Sequence, residues 1–240
     1  IINNVGNNSE LVREHLTGTP YILRHLAGAT NPELFYKEYQ SIFNAESASI
    51  IHINGFTTSP LAVLYEYHAK GTLDEILEQA RISNPPPEWN ATTKIIILFG
   101  IAAGMRQLHE NRIMHRNLKP SNITIDNHFY PYIADVGFTR EYNRDPSYMA
   151  PELLTGCSYK SKIDVFAFGM ICYHVLTMHP PFPSNLSHAD IKQKIISGER
   201  PPIPSSIPNT FINLIQRCWA QDASARPTFN RIVDGFINKN

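Results

Sequence analysis

Apolar positions alternate with polar ones over short stretches in the first part of the chain and recur at helical spacing in the remainder. PYILRHL alternates across Tyr21 to Leu26, SIIHI is β-branched, and LAVLYEY, Leu61 to Tyr67, combines aromatic and β-branched residues, so each predicts a strand. Between them NPELFYKEYQSIF puts Leu34, Phe35, Tyr39 and Ile42 near helical spacing and predicts one helix among the strands. After Gly71 the period becomes helical. Thr72 with Glu75, Ser161 with Asp164 and Ser187 with Asp190 repeat a capping-box pattern, each predicting a helix start. ATTKIIILFGIAAGMRQLHE predicts a long, mostly apolar helix acting as a buried pillar, and NPPPEW before it reads as a stiff surface spacer. The expected fold is α+β and bilobal: a small β-rich lobe with one main helix over 1–67 and a larger, mainly helical lobe over 68–240.

Composition narrows the function. The 240 residues carry 21 basic and 21 acidic side chains, so no nucleic-acid footprint is expected. Three cysteines, Cys157, Cys172 and Cys218, without CxxC spacing argue against a disulfide framework or zinc site and fit a reducing, cytoplasmic setting. The longest apolar run, Ile95 to Met105, is too short to span a bilayer, and no signal-peptide pattern precedes it. The chain opens at Ile1 without an initiator Met, so a segment of a longer protein is expected.

The chemistry-bearing signals are Glu38, HRNLKPSN at 115–122, DVG at 135–137, APE at 150–152, DVFAFG at 164–169 and CWAQDASARPTF at 218–229. Their order and spacing resemble a protein kinase domain over essentially the whole length, and the last motif together with HRNLKPSN looks like the tyrosine-kinase-like branch. The resemblance implies ATP-dependent phosphoryl transfer, but several positions depart from the pattern and look specifically like a pseudokinase. Where the family has a proton-accepting Asp stands Asn117, whose amide can orient a hydroxyl but takes up no proton near pH 7. YILR falls where the family has VAIK, which puts Arg24 at the phosphate-binding lysine, with Glu38 as its helix partner. Ile22 then replaces a small alanine in the roof of the nucleotide pocket, and Thr124 replaces a floor leucine. Tyr65 guards the back of the cleft just before the hinge-like Glu66 and Tyr67. Only Gly6 survives from the glycine-rich phosphate loop, with Asn8 and Leu11 at the other glycine positions.

Asn122 and Asp135 match the family's magnesium ligands and leave a residual metal site open; the alternative for Asp135 is a local structural role. Thr139, Tyr142, Ser147 and Tyr148 are hydroxyls of a short activation segment, with Arg116, Arg140 and Arg144 as candidate phosphate partners, although packing roles are the plainer reading. Glu152, Arg226, Asp164 and His115 match the family's architectural residues. The leading expectation is a noncatalytic module that regulates or scaffolds a protein partner, such as an active kinase or an attached domain, with nucleotide binding weak or absent. The alternatives are a low-activity serine/threonine kinase using ATP and magnesium, and an ATP-sensing switch without catalysis.

Overall fold

The computed structural model describes residues 3–6, 9–25, 48–82, 85, 87–136 and 145–238. Five strands, β1 (Asn3–Gly6), β2 (Ser9–Arg13), β3 (Pro20–His25), β4 (Ile53–Thr58) and β5 (Leu61–Glu66), form an antiparallel sheet in the order β1-β2-β3-β5-β4. β3 and β5 fall where alternation predicts strands. SIIHI behaves differently: Ile50 makes only an isolated bridge to Ile133, and regular pairing starts at Ile53. Its amides bond across the lobes instead, with Ile51 N–H donating to Ile133 O at 3.0 Å. The helix predicted over Leu34 to Ile42 lies outside the described residues.

The second part is helical, built from α1 (Leu73–Ile82), α2 (Ala91–Glu110), α3 (Pro151–Leu154), α4 (Lys162–Thr177), α5 (His188–Ile196), α6 (Asn209–Cys218) and α7 (Phe229–Ile237). A two-stranded ribbon, β6 (Ile123–Ile125) with β7 (Pro131–Ile133), lies between α2 and α3 in the chain. Two of the three capping boxes form. Thr72 and Glu75 exchange side-chain to backbone bonds at the start of α1, and Ser187 and Asp190 do so at α5. At α4 the third does not: Ser161 has helical dihedrals and makes no cap bond, because Asp164 is directed at the loop holding His115.

α2 matches its predicted span. Its length and composition alone would suit a membrane, yet Ile97, Leu98, Ile101, Ala102, Met105 and Leu108 are fully buried in the protein core. Gly104 permits a close approach: a Cβ there would lie 2.9 Å from Ile133 Cδ1 and 3.0 Å from Ser49 Cβ. α4 is buried on all sides from Ile163 to Val175, making it the axis around which the helical part packs. Arg226, 1% exposed, anchors the segment before α7 through paired bonds to Glu152 at 2.7 and 3.0 Å and further donations to backbone carbonyls. This satisfies a buried guanidinium that would be costly alone.

Candidate functional site

A cleft of about 190 Å³ separates the five-stranded sheet from the helical part. Strand register sets its roof. Ile22 and Arg24 are two residues apart on β3 and share a face, opposite Tyr65 and Val63 of β5. Tyr65, Glu66, Tyr67 and His68 form the back and hinge; Thr124 and Ala134 form the floor, and Asp74 and Glu75 of α1 lie at its edge. Ile22 therefore occupies the roof as expected, and open space remains beneath it. β1 ends at Gly6, while Leu11 is a paired strand residue facing Ile22 across the ladder, not a turn glycine equivalent in shape. Asn8 and Glu38 lie outside the described residues.

At the inner end of the cleft, the Asp135 carboxylate is bound by two residues of the sheet. Arg24 Nη1 forms an ion pair with Oδ2, and the Tyr65 hydroxyl donates to Oδ1 at 3.1 Å. Asp135 is 3% exposed and has a left-handed backbone, φ +57°. Both carboxylate oxygens thus have partners from β3 and β5. The Asn122 amide nitrogen donates to Asn117 O at 2.9 Å, which fixes the side chain and leaves its Oδ1 as the atom able to ligate. Among the described residues no three His, Cys, Asp or Glu side chains cluster as a metal site. A divalent cation here would draw on Asp135 and Asn122 Oδ1, and at Asp135 it would have to displace the Arg24 guanidinium.

The loop from His115 to Asn122 is built on Asp164. Its carboxylate accepts from His115 N–H at 2.9 Å, Arg116 N–H at 2.8 Å and the His109 ring at 2.9 Å. His115 is fully buried. Asn117 N–H donates to its Nδ1 at 3.3 Å, which leaves Nε2 to donate to Ala134 O at 3.0 Å and fixes a neutral tautomer. Burial lowers the His115 pKa, in keeping with that state. Asn117 is consequently held by its backbone at both N–H and C=O, and its side chain is an amide, which accepts no proton near neutral pH.

Sequence reasoning missed His68. Its Nδ1 is hydrogen-bonded to Thr124 Oγ1 at 2.8 Å, its ring packs on Tyr132 at 4.2 Å, and burial lowers its pKa. The polar Thr124 on a normally apolar floor was the available signal; the hinge histidine that matches it became visible only in the fold. Ser147 and Tyr148 follow the plainer packing reading: both are buried, and the Tyr148 hydroxyl is bonded to His174 Nδ1 at 2.8 Å, so they pack the helical part and are not poised as phosphate acceptors. Thr139, Tyr142, Arg140 and Arg144 lie outside the described residues. Val136 is buried in the main core, as a packing residue would be.

Residues 21–236 match the family model described as protein tyrosine and serine/threonine kinase. A protein of Acanthamoeba polyphaga mimivirus, named as a "putative serine/threonine-protein kinase/receptor", is 37% identical over 187 residues, covering 74% of this chain and 11% of its own. A second so named from the same virus is 34% identical over 221 residues, covering 87% of this chain and 13% of its own. The dual specificity protein kinase pyk3 of Dictyostelium discoideum is 29% identical over 212 residues, covering 85% of this chain and 16% of its own. The chain therefore spans 11% to 16% of the length of these three relatives.

Proposed function

Because this chain belongs to the protein tyrosine and serine/threonine kinase family, we propose that it is a pseudokinase domain of the tyrosine-kinase-like branch. In this reading it regulates or scaffolds a protein partner, an active kinase or an attached domain, without transferring phosphate. The observation that carries this reading is the pairing of Asp135 with Arg24 and Tyr65. The family's metal-binding carboxylate is bound by the chain's own cation, and the residue beside the acceptor position is an amide. Loss of the positioned base alone costs about 10²- to 10⁴-fold. Without the metal, the charge developing on the phosphoryl group has no counterion either. The architectural pairs Glu152–Arg226 and Asp164 with the His115 loop are intact, which suits a fold kept for its surface. Free Cys157, Cys172 and Cys218 suit a reducing cytoplasm.

The names of the relatives favour a second reading, a weak ATP-dependent serine/threonine kinase. In it Arg24 would turn from Asp135 to phosphate, leaving Asp135 and Asn122 for magnesium and Asn117 to orient the acceptor. An ATP-sensing switch would use the same residues without turnover. Incubation of the chain with γ-labelled ATP, magnesium or manganese and a serine/threonine substrate separates catalysis from its absence. No incorporation above a protein-free control is expected. Transfer that disappears in Asp135→Asn would overturn the noncatalytic reading in favour of the weak kinase.

A further inference from the structure

The chain passes from the five-stranded sheet to the helical part through residues 67–72, between the end of β5 at Glu66 and the start of α1 at Leu73. His68 lies within this connection, yet its side chain is buried against the β6–β7 ribbon. Its Nδ1 is hydrogen-bonded to Thr124 Oγ1 of β6 at 2.8 Å, and its ring packs on Tyr132 of β7 at 4.2 Å. Backbone bonds meet at the same junction: Ile125 N–H donates to Gly71 O at 2.9 Å, Gly71 N–H donates to His68 O at 3.1 Å, and Thr72 bridges to Thr124. The connection is thus strapped to the ribbon by a side chain that changes charge just below neutral pH.

A charge on this ring has little to offset its burial. Among the described residues, the titratable groups facing it are Glu66, Asp126 and Tyr132. Glu66 Oε1 stands 3.9 Å from Nε2, outside hydrogen-bond range, and its side chain is 52% exposed, so water screens it. Asp126 Oδ1 already accepts from His128 N–H and Tyr130 N–H, each at 2.8 Å, and burial raises the Tyr132 pKa, which keeps that phenol neutral. Glu75 of α1, in the same cleft, is bonded to Thr72, and Lys70 lies over the Phe129 ring. Burial therefore outweighs both carboxylates and lowers the His68 pKa from 6.5. A ring released to solvent binds a proton more readily than the held ring. The strap is at full strength above pH 6.5 and weakens as pH falls below it.

We propose that His68 is a proton-operated strap. Neutral, it ties the connection to Thr124 of the ribbon; protonated, its ring turns out toward Glu66 and solvent, and the junction between the sheet and the helical part loosens. Release breaks one side-chain bond and one ring contact and leaves the helical core untouched, so it is a local opening and not unfolding. It involves no ligand and no phosphoryl transfer, and it stands independently of the noncatalytic reading.

Histidine-ring NMR, together with amide exchange expressed as protection relative to free peptide at each pH, tests it on the whole chain. The His68 ring should titrate below 6.5. From pH 7 to pH 5, protection at Ile125 should fall severalfold more than at Ile171, in the middle of α4, which reports global opening. His68→Gln, which cannot titrate, should remove that excess. Thr124→Val should already show the low Ile125 protection at pH 7, and Thr124→Ser should behave as the parent, with melting temperatures reporting the fold of each variant. A His68 ring titrating at or above 6.5 overturns the proposal. So does a fall at Ile125 no larger than at Ile171, an excess that persists in His68→Gln, or parent-like protection at pH 7 in Thr124→Val.

Discussion

Arg24 of β3 and Asp135, just after β7, form an ion pair across the cleft, joining the five-stranded sheet to the helical part. Asp135 is nearly fully buried, whereas the Arg24 side chain is 15% exposed. Truncation of Arg24 therefore leaves a buried carboxylate with a partner missing, the more damaging way to break such a pair.

Arg24→Ala should destabilise the chain by about 3 kcal/mol, near the lower end for buried pairs because Tyr65 still donates to Asp135. In a double-mutant cycle by urea unfolding, Asp135→Asn should recover much of that loss. Additive effects of the two changes would mean that the pair contributes nothing specific.

Single repair of the catalytic loop should not create an enzyme. Asn117→Asp restores a proton acceptor but leaves Arg24 on Asp135, so phosphotransfer should remain at background. The double change Asn117→Asp with Arg24→Lys, which supplies a narrower and more mobile cation, is the combination expected to gain activity. Activity in Asn117→Asp alone would show that Arg24 does not hold Asp135 closed to metal.

Ile22→Ala removes roof volume above the cleft and should raise affinity for a purine ligand severalfold while costing roughly 1 to 2 kcal/mol of stability, since Ile22 is only half-buried. Calorimetry alongside a melt measures both. Unchanged affinity would remove Ile22 as a determinant of cleft size.

Stability should decline on acidification through the histidines. Burial depresses His174 to about 4 in the folded chain, below its unfolded value of 6.5. Between these values the unfolded chain binds more protons, so the contribution is fully present above about pH 6.5 and is lost as pH falls towards 4. The slope from this group is at most about 1.4 kcal/mol per pH unit, and buried His68 and His115, both lowered, act in the same direction. Urea midpoints at pH 7 and pH 5 should differ by less in His174→Gln than in the parent; equal differences would assign the effect elsewhere.

Gly169→Ala should cost about 1 to 3 kcal/mol, because the new Cβ would lie 2.9 Å from Cys218 Cβ and 3.1 Å from Trp219 N, where α4 meets the end of α6. A melting temperature unchanged by the substitution would show that α6 can yield.

Much of this architecture is local in origin and therefore legible along the chain. Strand alternation at Tyr21 and Leu61, and the paired caps at Thr72 and Ser187, depend on neighbours a few residues away. The α2 span likewise matches its apolar pattern. Motif order was equally legible, and it identified the family and the positions of Ile22, Arg24, Asn117, Thr124 and Asp135. Ser161 and Asp164 show where that logic stops: the same letters that make a cap at Ser187 do not make one here, because Asp164 meets His109, His115 and Arg116, about 50 positions earlier in the chain.

The sequence by itself determined that an amide stands at Asn117, a group that lacks a basic site in any fold. Only the tertiary structure decided where the remaining charges go. Arg24 and Tyr65 meet Asp135, His68 meets Thr124, and Tyr148 meets His174 because sheet and helices bring distant residues to within about 3 Å, where desolvation makes a buried charge or polar group take the partner that packing provides.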